Sequence, residues 1–91
     1  MQFMVTWTFK PSASEAAIAR FSETGGMPPD GVRMVSRFHA VAGNRGFALA
    51  ESDDAVAMGK WTRQWNDLLS FEVVPVVDDA GIQEVLASRS G

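Results

Sequence analysis

The chain has 91 residues, of which 46% are hydrophobic and 21% charged, proportions typical of a folded globular protein and not of a disordered one. A net charge of −3 argues against nucleic-acid binding, and the absence of cysteine together with a single histidine excludes disulfides and cysteine-based or multi-histidine metal sites. The composition predicts one soluble domain over residues 1–91, located in the cytoplasm, with no membrane segment, metal or cofactor.

The chain begins with a predicted strand and helix. Over residues 3–9 large apolar residues alternate with Met and Thr, and this period of two predicts a first strand. Ser12 and Glu15 have the spacing of a capping box, so we expect them to begin a helix that ends near Gly25 and Gly26. Three apolar residues at helical spacing form the face that this helix is expected to bury: Ala17, Ile18 and Phe21.

Two strand-like runs, residues 32–41 and 45–51, flank the sequence AGN and predict a β-hairpin. If Gly43 and Asn44 form a two-residue turn, His39 lies opposite Ala48, and Arg37 lies opposite Ala50. Arg37 and His39 then share a face with residues that have little or no side chain, so a hollow is expected beside them.

The second half of the chain repeats the alternation of helix and strand. The acidic stretch ESDD, residues 51–54, favours the start of a helix that we expect to reach about Leu69. Its apolar stripe consists of Met58, Trp61, Trp65 and Leu68. Residues 71–77 predict a fourth strand, in which Pro75 indicates an edge position or a bulge. Residues 78–88 predict a closing helix whose apolar face consists of Ile82, Val85 and Leu86.

The order β-α-β-β-α-β with a C-terminal helix predicts an α+β, ferredoxin-like fold with a four-stranded antiparallel sheet. Helices cover one face of such a sheet. Both faces of the first and last strands carry large hydrophobes, with Phe3 and Val73 on one and Met4 and Val74 on the other. Because an uncovered apolar face marks an interface, we expect a homodimer that pairs its sheet faces.

Several stretches, including MQFMVTWTFKP, TGG.PP.GV, RFHA…G.RGFAL.E and WNDLLSFEVVPVVDD, resemble a family of short bacterial proteins catalogued as a domain of unknown function. The resemblance covers nearly the whole chain. The element order is also similar to that of the dimeric α/β-barrel superfamily, which includes small monooxygenases, isomerases and stress-responsive proteins. That similarity implies a dimer with facing sheets and a small-molecule cavity in each protomer, but no particular reaction, because this fold supports many.

Two interpretations of the hairpin remain open. In the functional one, His39 is a general base or a hydrogen-bond donor to a ligand, and Arg37 binds a carboxylate or enolate. In the structural one, the hairpin lies at a sheet edge, where charged residues prevent aggregation and His39 makes an ordinary hydrogen bond. The functional interpretation depends on the turn, since a loop one residue longer would change the face that these side chains occupy.

Four other residues are candidates for the site. Asp67 either orients His39, as the similarity to small superfamily members implies, or satisfies the end of the second helix. Asn66 is either a ligand contact or a cap of the second helix, and Trp65 is either a core residue or a ligand contact. Glu51 is either a buried acid or an exposed residue at the end of its strand.

The sequence therefore supports two classes of function. One is a protein that binds a small organic molecule between sheet and helices, either as a binding protein or as a cofactor-independent enzyme that uses His39 and Arg37. The alternative is a non-enzymatic dimeric module that acts through protein–protein interaction, an alternative suggested by the lack of a complete catalytic set.

Overall fold

The apolar alternation at the N-terminus forms β1 (Gln2–Phe9), a central strand in a computed structural model that describes residues 1–90. The other elements are α1 (Ser14–Thr24), β2 (Arg33–His39), β3 (Arg45–Glu51), α2 (Ala55–Arg63), β4 (Leu69–Val76), α3 (Asp79–Ala87) and a 3₁₀ turn (Ser88–Ser90). All strand pairs are antiparallel, and the sheet order is β2-β3-β1-β4. The predicted α+β, ferredoxin-like fold is confirmed, and β4 lies at the edge that Pro75 indicated.

One face of the sheet, here called the inner face, carries the core. A first cluster of buried residues joins β1 and β3 to α2, and it consists of Phe3, Val5, Ala48, Ala50, Met58 and Trp61. A second cluster joins α1 to the start of β4, and it consists of Ala17, Trp65 and Leu69. Burial of these apolar surfaces is the main force that holds α1 and α2 on the sheet.

The opposite face, here called the outer face, is apolar and open to solvent. Its large hydrophobes are Met4, Phe38, Phe47, Leu49, Val74 and Val76. Met4 is 38%, Phe38 64% and Val74 40% exposed, and none of the outer-face residues belongs to either core cluster. Among residues 1–90, no helix has the length and hydropathy needed to cross a bilayer.

The hairpin loop is two residues longer than the predicted turn. The Ala40 N–H donates to the Arg45 carbonyl at 2.9 Å, so residues 41–44 form the loop. His39 therefore pairs with Gly46, and Arg37 pairs with Ala48. The predicted partners were Ala48 for His39 and Ala50 for Arg37. Because the shift is an even number of residues, Arg37 and His39 keep the predicted face.

A β-bulge between Met34 and Ser36 changes the faces farther along β2. It places Met34 on the inner face, where this residue packs against the first core cluster, and leaves Val35 40% exposed. Simple alternation along β2 predicts the opposite arrangement, with Val35 on the face of Arg37 and Met34 on the other face, because it allows no extra residue in the strand.

The predicted start of α1 is wrong in its details. Ala13 occupies the N-cap position without a side-chain hydrogen bond. Ser12 has φ 64°, and the Ala13 N–H donates to the Lys10 carbonyl at 3.0 Å, so a backbone turn takes the place of the capping box. At the other end, Gly25 adopts φ 71° and its N–H donates to the Phe21 carbonyl, as expected for a glycine that ends a helix.

Helix α2 ends six residues before the predicted Leu69. Its start matches the expectation, since Asp54 caps it by accepting hydrogen bonds from Val56 and Ala57. After Arg63 the chain makes tight turns, in which the Trp65 N–H donates to Thr62 at 3.0 Å and the Leu68 N–H to Trp65 at 2.9 Å. These turns return the chain to the sheet, so β4 begins at Leu69 and not at residue 71.

Two glycine substitutions test the packing. A Cβ on Gly46 would overlap the indole of Trp7, whereas a Cβ on Gly59 in α2 would meet no atom within 4 Å. We expect Gly46→Ala to lower the free energy of unfolding by about 1–3 kcal/mol through overpacking. Gly59→Ala should raise it by about 1 kcal/mol because alanine is the better helix former. Urea unfolding measures both, and an unchanged stability of Gly46→Ala would contradict the close approach of Trp7.

Candidate functional site

A cavity of about 260 Å³ lies between the inner face of the sheet and helices α1 and α2. Its wall is mostly aromatic and aliphatic and is formed by Val5, Trp7, Phe9, Ala17, Ile18, Phe21, Gly26, Arg37, His39, Trp61, Thr62, Trp65, Leu69 and Phe71. The polar side chains in this wall are Arg37, His39 and Thr62, apart from the indole N–H groups. A concave, mainly apolar space with a few polar groups is the usual form of a small-molecule site.

The cavity exists because α1 does not close onto the sheet. Of its three apolar residues expected to be buried, only Ala17 is, whereas Ile18 is 57% and Phe21 37% exposed. Opposite β2, the inner face of β3 carries Gly46 and Ala48, which fill little space. The predicted burial of Ile18 and Phe21 is therefore wrong, and both side chains line the hollow instead.

Arg37 closes one end of the cavity by binding the loop that follows α1. Its Nη1 and Nη2 donate to the carbonyls of Gly26 and Gly25, both at 2.9 Å, and its Cζ lies 4.8 Å from the centre of the Phe21 ring. Burial lowers the pKa of the Arg37 guanidinium. A cation at the last carbonyls of a helix is favourable, so this residue stabilises the loop whether or not a ligand is present.

His39 lies at the rim of the cavity, where it is exposed. Its ring meets Trp7 and Phe21 edge to face, with centroid distances of 6.3 Å and 5.5 Å. The imidazole nitrogens make no hydrogen bond within residues 1–90, so their donor and acceptor capacity is available to a ligand. The structure thus brings Arg37 and His39 together at one cavity, as the sequence predicted.

Asp67 does not join this group. Its carboxylate receives two hydrogen bonds from Arg20, at 2.8 Å and 2.9 Å, and no bond to His39 is formed within residues 1–90. Hydrogen bonding to Arg20 lowers the pKa of the Asp67 carboxyl and raises that of the Arg20 guanidinium. Arg20 also lies over the Trp65 ring, with 5.4 Å from Cζ to the ring centre. Asp67 therefore acts on the cavity wall only through Arg20.

The remaining sequence candidates occupy different places. Trp65 is buried in the second core cluster and also lines the cavity, so both alternatives offered for it are compatible with its position. Asn66 is exposed, and its carbonyl accepts a hydrogen bond from Lys10 at 2.6 Å. Glu51 is half-buried and pairs with Arg33 at 3.2 Å, beside a separate open hollow and away from the aromatic cavity.

Some lining residues were not foreseen as part of a site, notably Trp7 and Phe71. Their alternation identified them as strand residues, but the cavity depends on which strands are neighbours. Trp7 pairs with Gly46 on one side and with Phe71 on the other. A glycine in a strand signals a close approach of another group, and this was the available signal for Trp7.

Comparison with known proteins agrees with the fold. The chain matches the family described as "Domain of unknown function (DUF3303)" over residues 1–90, and it belongs to that family. No curated protein matches it. Among solved structures it is similar to "Structure of Rv0793 from Mycobacterium tuberculosis", with a TM-score of 0.50 and 16% identity over 87% of this chain and 96% of the other. At this identity the likeness concerns the fold alone.

The Asp67–Arg20 pair predicts a pH-dependent contribution to stability. Because the folded-state pKa of Asp67 is lowered, its contribution is present above about pH 4 and is lost as the pH falls through the folded value. We expect Asp67→Asn to reduce the urea midpoint at neutral pH, with the difference from wild type disappearing toward pH 2. Asp30→Asn, which removes a carboxylate with no ion pair within residues 1–90, is the control. A difference independent of pH would contradict the pair.

Proposed function

We propose that this protein binds a small, planar and mainly apolar molecule that carries one oxygen substituent, and that the molecule occupies the cavity under α1. The observation that carries the proposal is the aromatic wall with an unpaired imidazole at its rim. Apolar side chains that face a partly open hollow are costly in water, and a ligand that covers them removes this cost.

The size of the cavity supports a bicyclic ligand. An apolar cavity of about 150 Å³ holds benzene, so the 260 Å³ available here is suited to two fused rings. Aromatic faces and edges in the wall favour a flat ring system over a branched chain. The rim offers His39 to the ligand oxygen, and the indole N–H groups of Trp7, Trp61 and Trp65 make no hydrogen bond within residues 1–90.

The same arrangement supports proton-transfer chemistry without a cofactor. In this proposal His39 accepts a proton from the ligand hydroxyl or from a carbon beside its carbonyl, and the resulting phenolate or enolate is stabilised by the charge of Arg37. Two of the five N–H donors of Arg37 bind Gly25 and Gly26, which holds the cation in place. Asp67 contributes by fixing Arg20 over Trp65.

A fluorescence titration with 2-naphthol tests the binding. All three tryptophans of the chain line the cavity, so occupancy should quench their emission in a saturable manner. Ile18→Glu places a charge in the wall and should weaken binding at least tenfold. Val56→Glu makes the same kind of change at an exposed position outside the wall and should have no effect. Quenching no greater than that of free tryptophan would refute the proposed site.

The role of His39 is separable from apolar binding. Wild type should bind 2-naphthol about fivefold more tightly than 2-methylnaphthalene, the equivalent of one net hydrogen bond of about 1 kcal/mol. His39→Ala should abolish this preference and leave the affinity for 2-methylnaphthalene unchanged. An equal loss for both compounds would mean that His39 only maintains the cavity.

We also propose that the protein forms a homodimer through its outer face. The alternative function, a dimeric module that acts through protein–protein interaction, requires such a dimer. The chain exposes 6324 Å². A compact monomer of 9.9 kDa exposes about 5,200 Å², so the excess is about 1,100 Å². Each partner in a standard interface buries about 800 Å², and the excess is therefore sufficient for a stable dimer.

Light scattering tests the assembly. At micromolar concentration we expect twice the chain mass of 9.9 kDa for wild type and for Val56→Glu. Val74→Glu, which places a charge on the outer face, should shift the protein toward the monomer. A monomeric wild type would refute the dimer without affecting the proposal for the cavity.

A further inference from the structure

Helix α3 has an apolar face that the rest of residues 1–90 leaves largely exposed. Ile82, Val85 and Leu86 lie at positions i, i+3 and i+4, where they share one side of the helix. They are 42%, 56% and 62% exposed, and no residue of α3 is buried. Three large hydrophobes on one face are the pattern of a helix that packs on a partner surface.

This helix cannot sustain itself in water. It has nine residues, and isolated helices shorter than about 12–15 residues are marginal even in favourable sequences. Gly81 weakens it further, and its main local support is the cap in which Asp78 accepts a hydrogen bond from the Gly81 N–H at 2.8 Å. A stable α3 therefore requires an apolar surface to pack on.

The shape of the chain indicates that this surface belongs to another molecule. The radius of gyration is 15.2 Å, and the long axis is 53 Å. A compact chain of this length has a radius of gyration of about 12 Å. Only Val77 and Asp78 separate α3 from β4, an edge strand whose outer side is open. The helix thus extends from the sheet instead of covering the core of its own chain.

We infer that α3 is an exchanged arm: in the homodimer, its Ile82, Val85 and Leu86 face packs on the outer face of the second copy. Each copy has one exposed helix face and one exposed sheet face. In a two-fold symmetric dimer the helix of each copy covers the sheet of the other, so both contacts form at once. The surface that the chain exposes beyond a compact monomer, about 1,100 Å², exceeds the roughly 800 Å² that each partner of a standard interface buries, so the second copy is large enough an occupant for both exposed faces. The inference rests on the proposed homodimer and specifies what holds it together.

Analytical ultracentrifugation of arm variants tests the exchange. We expect Leu86→Glu to raise the dimer dissociation constant at least tenfold, because it places a charge in the buried face. Gln83→Glu adds the same charge elsewhere on α3, and Val56→Glu adds it on an exposed site of α2, and both should leave the constant within twofold of wild type.

A measurement on unaltered protein makes the test independent of any folding defect in the variant. In a dimer mixed from isotope-labelled and unlabelled chains, isotope-filtered NOEs should connect the methyl groups of Ile82, Val85 and Leu86 in one copy to the rings of Phe38 or Phe47 in the other. NOEs within one chain only would overturn the exchange. The arm and the sheet dimer can fail separately. If Val74→Glu dissociates the dimer, but Leu86→Glu does not and these NOEs are absent, the arm is refuted and the sheet dimer stands. A monomeric wild type refutes both.

Discussion

The site depends on the close approach of the Trp7 indole to the backbone of Gly46. The two residues are paired across β1 and β3, and a Cβ on Gly46 would overlap the indole ring. The ring therefore lies against the centre of the sheet. There it contacts Phe71 from β4, with a centroid distance of 6.4 Å, and His39 from β2, with a distance of 6.3 Å. Side chains from β1, β2 and β4 thus meet over the backbone of β3 and form an aromatic floor.

The hollow above this floor follows from the small residues of β3. With Gly46 and Ala48 on its inner face, β3 offers α1 nothing large to pack against, and Ile18 remains at the wall of an open space. Arg37 compensates by holding the loop after α1 through the carbonyls of Gly25 and Gly26. The chain therefore has less core packing at this point than between α2 and the sheet.

Local patterns predicted the elements of the fold well, because hydrophobic periodicity and strand composition are carried by neighbouring residues. The bounds of β3 and the start of α2 directly after the acidic stretch 51–54 followed from this information. The hairpin register did not, because the sequence AGN permits more than one loop length. The prediction that Arg37 and His39 face small residues is nevertheless correct, because the register differs by two residues and an even shift keeps each side chain on its face.

The parts that failed required knowledge of contacts distant in sequence. The partner of Asp67 is Arg20, 47 positions away, and no local signal favours it over His39. The early end of α2 is set by turns that bring Leu69 beside Phe9 in the sheet. The residues that line the cavity could not be predicted either, because they depend on which strands lie beside β1.

The most direct test of the account follows the indole N–H signals of Trp7, Trp61 and Trp65 by two-dimensional NMR during addition of 2-naphthol. If the molecule enters the cavity, all three signals shift with one common dissociation constant, and NOEs connect its ring protons to Ile18 and Phe21. If the indole signals stay fixed while only outer-face residues such as Met4 and Val74 respond, the cavity is not the binding site.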